Sequence, residues 1–261
     1  MGICSLLYQL CKSLGRFQRF FCKNKEIIRS NSNSVDVTDK VTSIATWNTQ
    51  CLFLYMNSQK IKNIIYELKL LEFNDVLCLQ EVFDDTMKYK IIDELSNIYP
   101  YYLLGNTDKK YRLGDDSGLL VLSKFKVKYC KEVILDGATF PDNLSNKSIL
   151  YFSVGNLNMV NTHLQSSDLY NSSNVTIKQI NDIIKYSPFE RFIIIGDLNN
   201  SEAHIHVGVP KNNDQPTCDN SILDYILPIH YPCISIDSYI SSRSIKNISD
   251  HKCLLSKINY T

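Results

Sequence analysis

The chain has 261 residues, of which 44% are hydrophobic and 21% charged, with a formal net charge of +1. This composition is that of an ordinary globular protein with a sizeable core, and it argues against a low-complexity or strongly basic nucleic-acid-binding chain. No run of eighteen apolar residues occurs, so no transmembrane helix is predicted. The nine cysteines are scattered without a CxxC pair, which suits free thiols in a reducing compartment better than a disulfide framework.

The small net charge is unevenly placed. Residues 1–40 hold seven Lys or Arg against three acids, which leaves the remaining body slightly acidic. Ile3, Leu6, Leu7, Leu10, Leu14, Phe17 and Phe21 recur at helical spacing, and Lys12, Arg16, Arg19 and Lys23 lie on the other faces. A basic amphipathic segment of this kind over residues 1–30 can lie in a membrane interface or pack on its own domain. Gly2 and Cys4 are candidate acylation sites, although Leu6 stands at the usual Ser or Thr position of the myristoylation pattern. Residues 31–40 read as a polar linker, and residues 41–261 as one catalytic domain with no internal repeat. Asn-x-Ser/Thr sequons, among them those at Asn146, Asn171, Asn174, Asn199, Asn247 and Asn259, are attributed to the Asn-rich composition.

From Val41 onward strands and helices alternate. A strand at Ser43–Trp47 ends in Asn48, and an amphipathic helix follows over Ile61–Leu71. The strand Asp75–Gln80 ends at Glu81, and a helix covers Met87–Leu95. Strands are then predicted at Tyr101–Leu104, Gly118–Leu122, Val127–Leu135, Ser148–Val154 and Leu157–Asn161, the last closed by His163. A helix over Asn174–Tyr186 precedes the stretch RFIIIGDLNNS at 191–201. Two further strands fall at Ile222–Leu227, which contains Asp224, and at Lys252–Ile258, just after Asp250 and His251.

The stretch at 191–201 dominates the chain. Phe192–Ile195 is too short for a helix and apolar throughout, as a central strand buried on both faces would be. Gly196 is expected to break that strand, with Asp197 and Asn199 alternating onto one side of the backbone. A carboxylate and an amide held at a sheet edge suit a hard cation or a phosphate oxygen. A polar turn would have the same composition. The wider pattern favours the site: Asn48, Glu81, His163, Asp197, Asn199, Asp250 and His251 all stand at strand ends or in the adjoining loops. In a layered sheet fold such ends converge on one rim, and this set of side chains suits metal-assisted phosphoester chemistry.

The motifs TWN at 46–48, LQEVFD at 79–84, SGLLVLSKF at 117–125, THLQ at 162–165, GDLN at 196–199 and SDH at 249–251 occur in an order that resembles the endonuclease/exonuclease/phosphatase superfamily. QEVFD, the Gln after THL, NKS at 146–148, PTCD at 216–219 and LDYIL at 223–227 are similar to motifs of its neutral sphingomyelinase branch. The resemblance covers about residues 42–258. It departs at Ser117-Gly118 for Gly-Gly, at Lys147-Ser148 for Lys-Gly, at Cys218 for the Trp of PTWD, and at Thr176 for a basic residue early in the helix after THLQ.

The resemblance implies an α+β, deoxyribonuclease-like fold: a four-layer α/β/β/α sandwich of two packed mixed sheets flanked by helices. It implies that Glu81 binds Mg2+, or alternatively Mn2+, with Asn48 nearby. Asp197 and Asn199 would orient the attacking water and hold a phosphoryl oxygen. His251 would be the general base, Asp224 its orienting carboxylate, and Asp250 a support for the network. His163 would stabilise the phosphorane or protonate the leaving oxygen. The implied reaction is hydrolysis of sphingomyelin or a related choline phospholipid to ceramide (or diacylglycerol) and phosphocholine. A nuclease or other nucleic-acid phosphodiesterase is the alternative, and a membrane-bound interaction protein without activity is a third class. The expected protein is a monomer at a cytoplasm-facing membrane surface, attached peripherally through its N-terminal segment. His204 and His206 are expected to be loop residues without a zinc-like partner, and Asp115-Asp116 a solvated turn.

Overall fold

The computed structural model describes residues 36–52, 58–105, 116–140, 142–166, 173–241 and 248–261. The amphipathic segment 1–30, Gly2, Cys4, residues 31–35 of the linker and Asp115 lie outside the described residues. The described part of the linker is anchored to the domain, because Asp39 O accepts a hydrogen bond from Asn156 N at 3.1 Å.

Eleven strands are assigned among the described residues: β1 (Ser43–Cys51), β2 (Val76–Val82), β3 (Tyr101–Leu104), β4 (Leu120–Ser123), β5 (Val127–Ile134), β6 (Ser148–Val154), β7 (Leu157–His163), β8 (Phe192–Asp197), β9 (Asp224–Ile229), β10 (Ile234–Ile240) and β11 (Leu254–Tyr260). The helices are α1 (Ser58–Leu70), α2 (Asp85–Leu95), α3 (Ser173–Lys185) and the short α4 (Ala203–His206). Asp84 caps α2 by accepting from Met87 N at 2.8 Å, so the acid after QEVF starts a helix rather than joining the site.

The strands form two mixed sheets, one ordered β10-β11-β1-β2-β4-β3 and the other β5-β6-β7-β8-β9. Only β1–β2 and β7–β8 pair in parallel. Period-2 alternation divides the apolar residues among three cores. Ile44, Val76, Cys78 and Val121 from the first sheet meet Phe152, Met159, Ile193 and Ile195 from the second. On the outer face of the first sheet, Leu77, Leu79 and Leu120 pack with Ile64 and Leu68 of α1 and Met87 and Ile91 of α2. Behind the second sheet, Tyr151, Val160 and Ile194 pack with Ile180 and Ile183 of α3. This is the expected four-layer sandwich, and it explains the unbroken apolar run in β8, where every residue is buried.

Three expectations about local structure are corrected. Gly196 does not break β8: it pairs with Thr162 on one side and Tyr225 on the other, and β8 runs on to Asp197. A Cβ there would stand 2.0 Å from Thr162 O, and φ is +136°, so the glycine is required by a close backbone approach. Because the strand ends at Asp197, strand alternation does not reach Asn199, which adopts the left-handed region at φ +49°. Second, β10 had no counterpart in the predicted elements; its burial is broken and it has one partner, β11. Third, the segment carrying His204 and His206 is the one-turn helix α4 rather than a loop.

The layered topology concentrates strand ends at one rim. Parallel neighbours bring their C-terminal ends together, as β1 with β2 and β7 with β8 do. Antiparallel β9 brings its N-terminal end to the same edge, and so does the loop preceding β11.

Candidate active site

Register places the second sheet's contribution. His163 pairs with Asp197, and Asp197 with Asp224, so three polar side chains from consecutive strands stand side by side at one sheet edge. The first sheet supplies Asn48 from β1 and Glu81 from β2. Glu81 is held at φ +55°, a conformation that costs a non-glycine residue energy and persists only when its surroundings enforce it. Here Val82 N donates to Gly118 O at 2.9 Å, closing the turn beside it.

The two sheets are joined immediately below the rim by buried amides. Gln80 Nε2 donates to Asn161 Oδ1 at 2.8 Å, and Asn161 Nδ2 donates to Leu79 O at 3.2 Å. Above them, Asn48 Nδ2 donates to both Glu81 Oε1 and Asp197 Oδ2, each at 3.0 Å. One amide thus sets the spacing of two carboxylates from different sheets.

The histidines complete the cluster. His251 Nδ1 lies 2.8 Å from Asp224 Oδ2, and its Nε2 lies 3.6 Å from Asp197 Oδ2. The loop carrying it is pinned: Trp47 Nε1 donates to His251 O, Ser249 Oγ to Asn48 O and His251 N to Ser249 Oγ. His163 Nε2 lies 3.7 Å from both Glu81 Oε1 and Asp197 Oδ2. Asn199 N donates to Asp197 Oδ1 at 3.0 Å, while its Nδ2 donates to Leu164 O, so its amide locks the β8 end to the segment after β7.

Burial and crowding set the protonation behaviour. Burial pushes the Glu81 and Asp197 carboxyls up, and Asp224 and Glu81 add to the effect on Asp197. For His251 burial opposes the charged ring, but Asp224 and Asp197 outweigh it and hold the imidazolium well above the usual range. Burial pushes His163 well below the ordinary value, with Lys147 and His251 adding to it, so its ring is neutral.

Every residue singled out for the site lies at this rim, but not all lie equally deep. Asp250 is exposed, with Oδ1 3.4 Å from Ser249 Oγ, and borders the cluster rather than lining its floor. Asp116 is no solvated turn: it is buried, ion-paired with Lys88, and accepts from Gly118 N at 2.9 Å. His204 and His206 stay outside the cluster, and His204 stacks on the Tyr225 ring.

The structure adds one residue, Lys147. It is buried, its Nζ lies 3.2 Å from His163 Nε2, and Asp142 Oδ2 stands 3.6 Å away. The sequence signal was present in the NKS motif, yet a lysine at the start of a strand has no chemistry until its neighbour is known. Thr176, where a basic residue was expected, is buried and donates to Gln165 O at 3.0 Å.

The donor set fits a hard divalent cation. Glu81 and Asp197 are carboxylates whose oxygens share one amide, no Lys or Arg ion pair with either is seen among the described residues, and the groups around them are the Asn48 amide and the His163 and His251 rings. Two such carboxylates press each other toward protonation unless a cation lies between them.

Fold and rim together define a two-sheet sandwich with an acid, amide and histidine cluster at one edge. A model of the Endonuclease/Exonuclease/phosphatase family matches residues 45–251, and the chain belongs to that family. Among its relatives, a phospholipase C of Staphylococcus aureus is 28% identical over 189 residues, covering 62% of this chain and 56% of the relative. A sphingomyelinase C of Bacillus cereus is 26% identical over 220 residues, covering 67% and 66%. The chain thus spans little more than half the length of the phospholipase C it matches. Among solved structures, Staphylococcus aureus beta toxin with bound magnesium ions aligns at a TM-score of 0.68 and 18% identity, over 84% of this chain and 99% of that one. A humanized Danio rerio TDP2 aligns at 0.60 and 20% identity, over 84% and 98%. At such identities these structures show the shared fold.

Proposed function

We propose that the protein is a divalent-metal-dependent phosphodiesterase that hydrolyses sphingomyelin or a related choline phospholipid, releasing phosphocholine. The observation that carries this reading is the Asp224–His251–Asp197 arrangement facing Glu81 across Asn48. In its deprotonated form His251 accepts a proton from the attacking water at Nε2, while Asp224 holds Nδ1 and fixes the ring. Asp197 and the Asn199 amide orient that water and a phosphoryl oxygen. The water oxygen bonds to phosphorus as the bond to the leaving alkoxide breaks; the alkoxide takes up a proton from solvent, and His251 later returns its own proton to solvent.

The Lys147 ammonium, backed by neutral His163, counters charge on the phosphoryl oxygens. Glu81, with Asn48 beside it, would hold the cation, which when bound neutralises charge on the phosphate and the leaving oxygen. Magnesium is the preferred ion and manganese the alternative, because an oxygen-rich set accepts either.

The relatives named as sphingomyelinase C and phospholipase C support the lipid substrate. The TDP2 neighbour supports a nucleic-acid phosphodiester as the second reading, and the slightly acidic body weighs against it. Attachment to a cytoplasm-facing membrane through residues 1–30, with Gly2 and Cys4 as acyl acceptors, belongs to the same proposal.

The test is an assay of the purified protein with magnesium on sphingomyelin, lysophospholipid and single-stranded DNA. Phosphocholine release that disappears on chelation, and falls about 10²-fold or more in His251→Ala, is the expected result. Cleavage of DNA alone would overturn the lipid reading.

A further inference from the structure

Beside the Glu81 and Asp197 carboxylates stands a cluster of different chemistry. Cys218, Asp250 and His251 each present a ligand atom, and the three atoms lie within 4.8 Å of one another. The arrangement is built by the backbone. Cys218 and His251 face each other in an antiparallel bridge, and Lys252 N donates to Thr217 O at 2.7 Å to hold the two segments together. The Cys218 end is fixed in turn by Cys218 N donating to Ser221 O at 3.1 Å. Cross-strand neighbours of this kind keep their side chains adjacent.

We propose that Cys218, Asp250 and His251 form a second cation site, selective for thiophilic metals of the zinc and cadmium type, whose occupation disables the His251 base. Thiolate, imidazole and carboxylate are the donor types zinc takes, and three protein ligands plus one open position is a common arrangement. Magnesium disfavours a sulfur donor, so this cluster and the Glu81 side discriminate between ions by ligand softness. His251 is already oriented as a metal-bound imidazole usually is, with one nitrogen held by a carboxylate, Asp224 Oδ2 at 2.8 Å. Its other nitrogen, Nε2, which lies 3.6 Å from Asp197 Oδ2, is the one left to ligate. Asp250 is exposed, so its carboxylate can turn toward the ion at small cost.

Binding balances as a displacement. The Cys218 thiol and the His251 ring at Nε2 each release a proton to solvent as their bonds to the metal form, and Asp250 replaces a water of the ion. The same Nε2 cannot then accept a proton from the attacking water, so the two uses of His251 exclude each other. The softness of the site comes from Cys218, which stands where the PTWD motif resembled in the sequence has tryptophan.

The experiment titrates the full chain with cadmium in excess magnesium, recording thiolate-to-cadmium charge-transfer absorbance and hydrolysis together. Wild-type protein should take up cadmium with an absorbance step that parallels loss of hydrolysis. Cys218→Ser should lose that step, keep its magnesium-supported hydrolysis, and need at least about 10–100-fold more cadmium for inhibition, since the loss of even a supporting group weakens metal sites by that factor. Asp250→Asn should weaken the absorbance step without abolishing it. If Cys218→Ser retains both the full step and the full cadmium sensitivity, the metal sits elsewhere and the proposal fails. The absorbance arm reads the site even if no phosphodiester is hydrolysed, so failure of the proposed function and failure of this inference are separable.

Discussion

Single side chains at the rim do opposing electrostatic work. Asp224 is the largest influence raising the affinity of His251 for a proton, against the effect of burial. A base works in its deprotonated form, which exists above its pKa. Asp224→Asn should therefore move the acidic limb of the pH–rate profile to lower pH, while the maximum rate falls because the ring loses its anchor. A limb that stays in place would mean that Asp224 does not set the base. Glu81 is the complementary case, a carboxylate that burial pushes toward protonation and that Asn48 holds in position. Glu81→Gln keeps the shape and removes the charge, so half-maximal activation should need about 10–100-fold more magnesium. A titration with unchanged midpoint would place the ion on other ligands.

At the scale of elements, β8 is the axis of the site. It is buried on both faces and carries Asp197 at its end. Gly196, one residue earlier, is pressed against the carbonyl of Thr162. Gly196→Ala should destabilise the protein by about 2–4 kcal/mol, read as a lower denaturant midpoint, because both φ and the contact reject a Cβ. The displaced β7–β8 pairing would also separate His163 from Asp197, so activity should fall before the fold is lost. A variant of wild-type stability would show that the strands part easily at this point. β10 shows the opposite regime: it joins the sheet by hydrogen bonds to one neighbour and buries little, so its alternation left only a weak signature in the sequence.

For the whole molecule, the distribution of charge and apolar residues divides the chain at about residue 41. No helix among the described residues is long and apolar enough to cross a membrane. The proposed attachment therefore rests on residues 1–30, where each basic side chain near an anionic surface contributes roughly 1 kcal/mol. One acyl chain alone gives only reversible binding, so the amphipathic stripe or a second chain at Cys4 has to add to it. Deleting residues 1–30 should release the protein from vesicles while activity on detergent-dispersed substrate persists, because every proposed catalytic residue lies after residue 41. Aggregation or a lowered melting temperature in the truncated protein would instead show that the stripe packs on the domain.

The sequence by itself determined the alternation of elements, the buried character of β8, and the set of polar residues at strand ends, because periodicity and chemical type are properties of short stretches. Asn48, Glu81, His163, Asp197 and His251 could be picked out for that reason. Only the tertiary structure decided how they meet. The pairing of His163 with Asp197 and of Asp197 with Asp224, and the bridging of two sheets by the Asn48 amide, join residues between 27 and 149 positions apart. Lys147 and Cys218 meet the two histidines only across the rim. Asp116 looks solvated in the sequence because its polarity is visible there and the burial of its partner Lys88 is not. A side chain's type is local, but its desolvation and its charge partners are set by contacts between distant segments, and those contacts govern the chemistry at the rim.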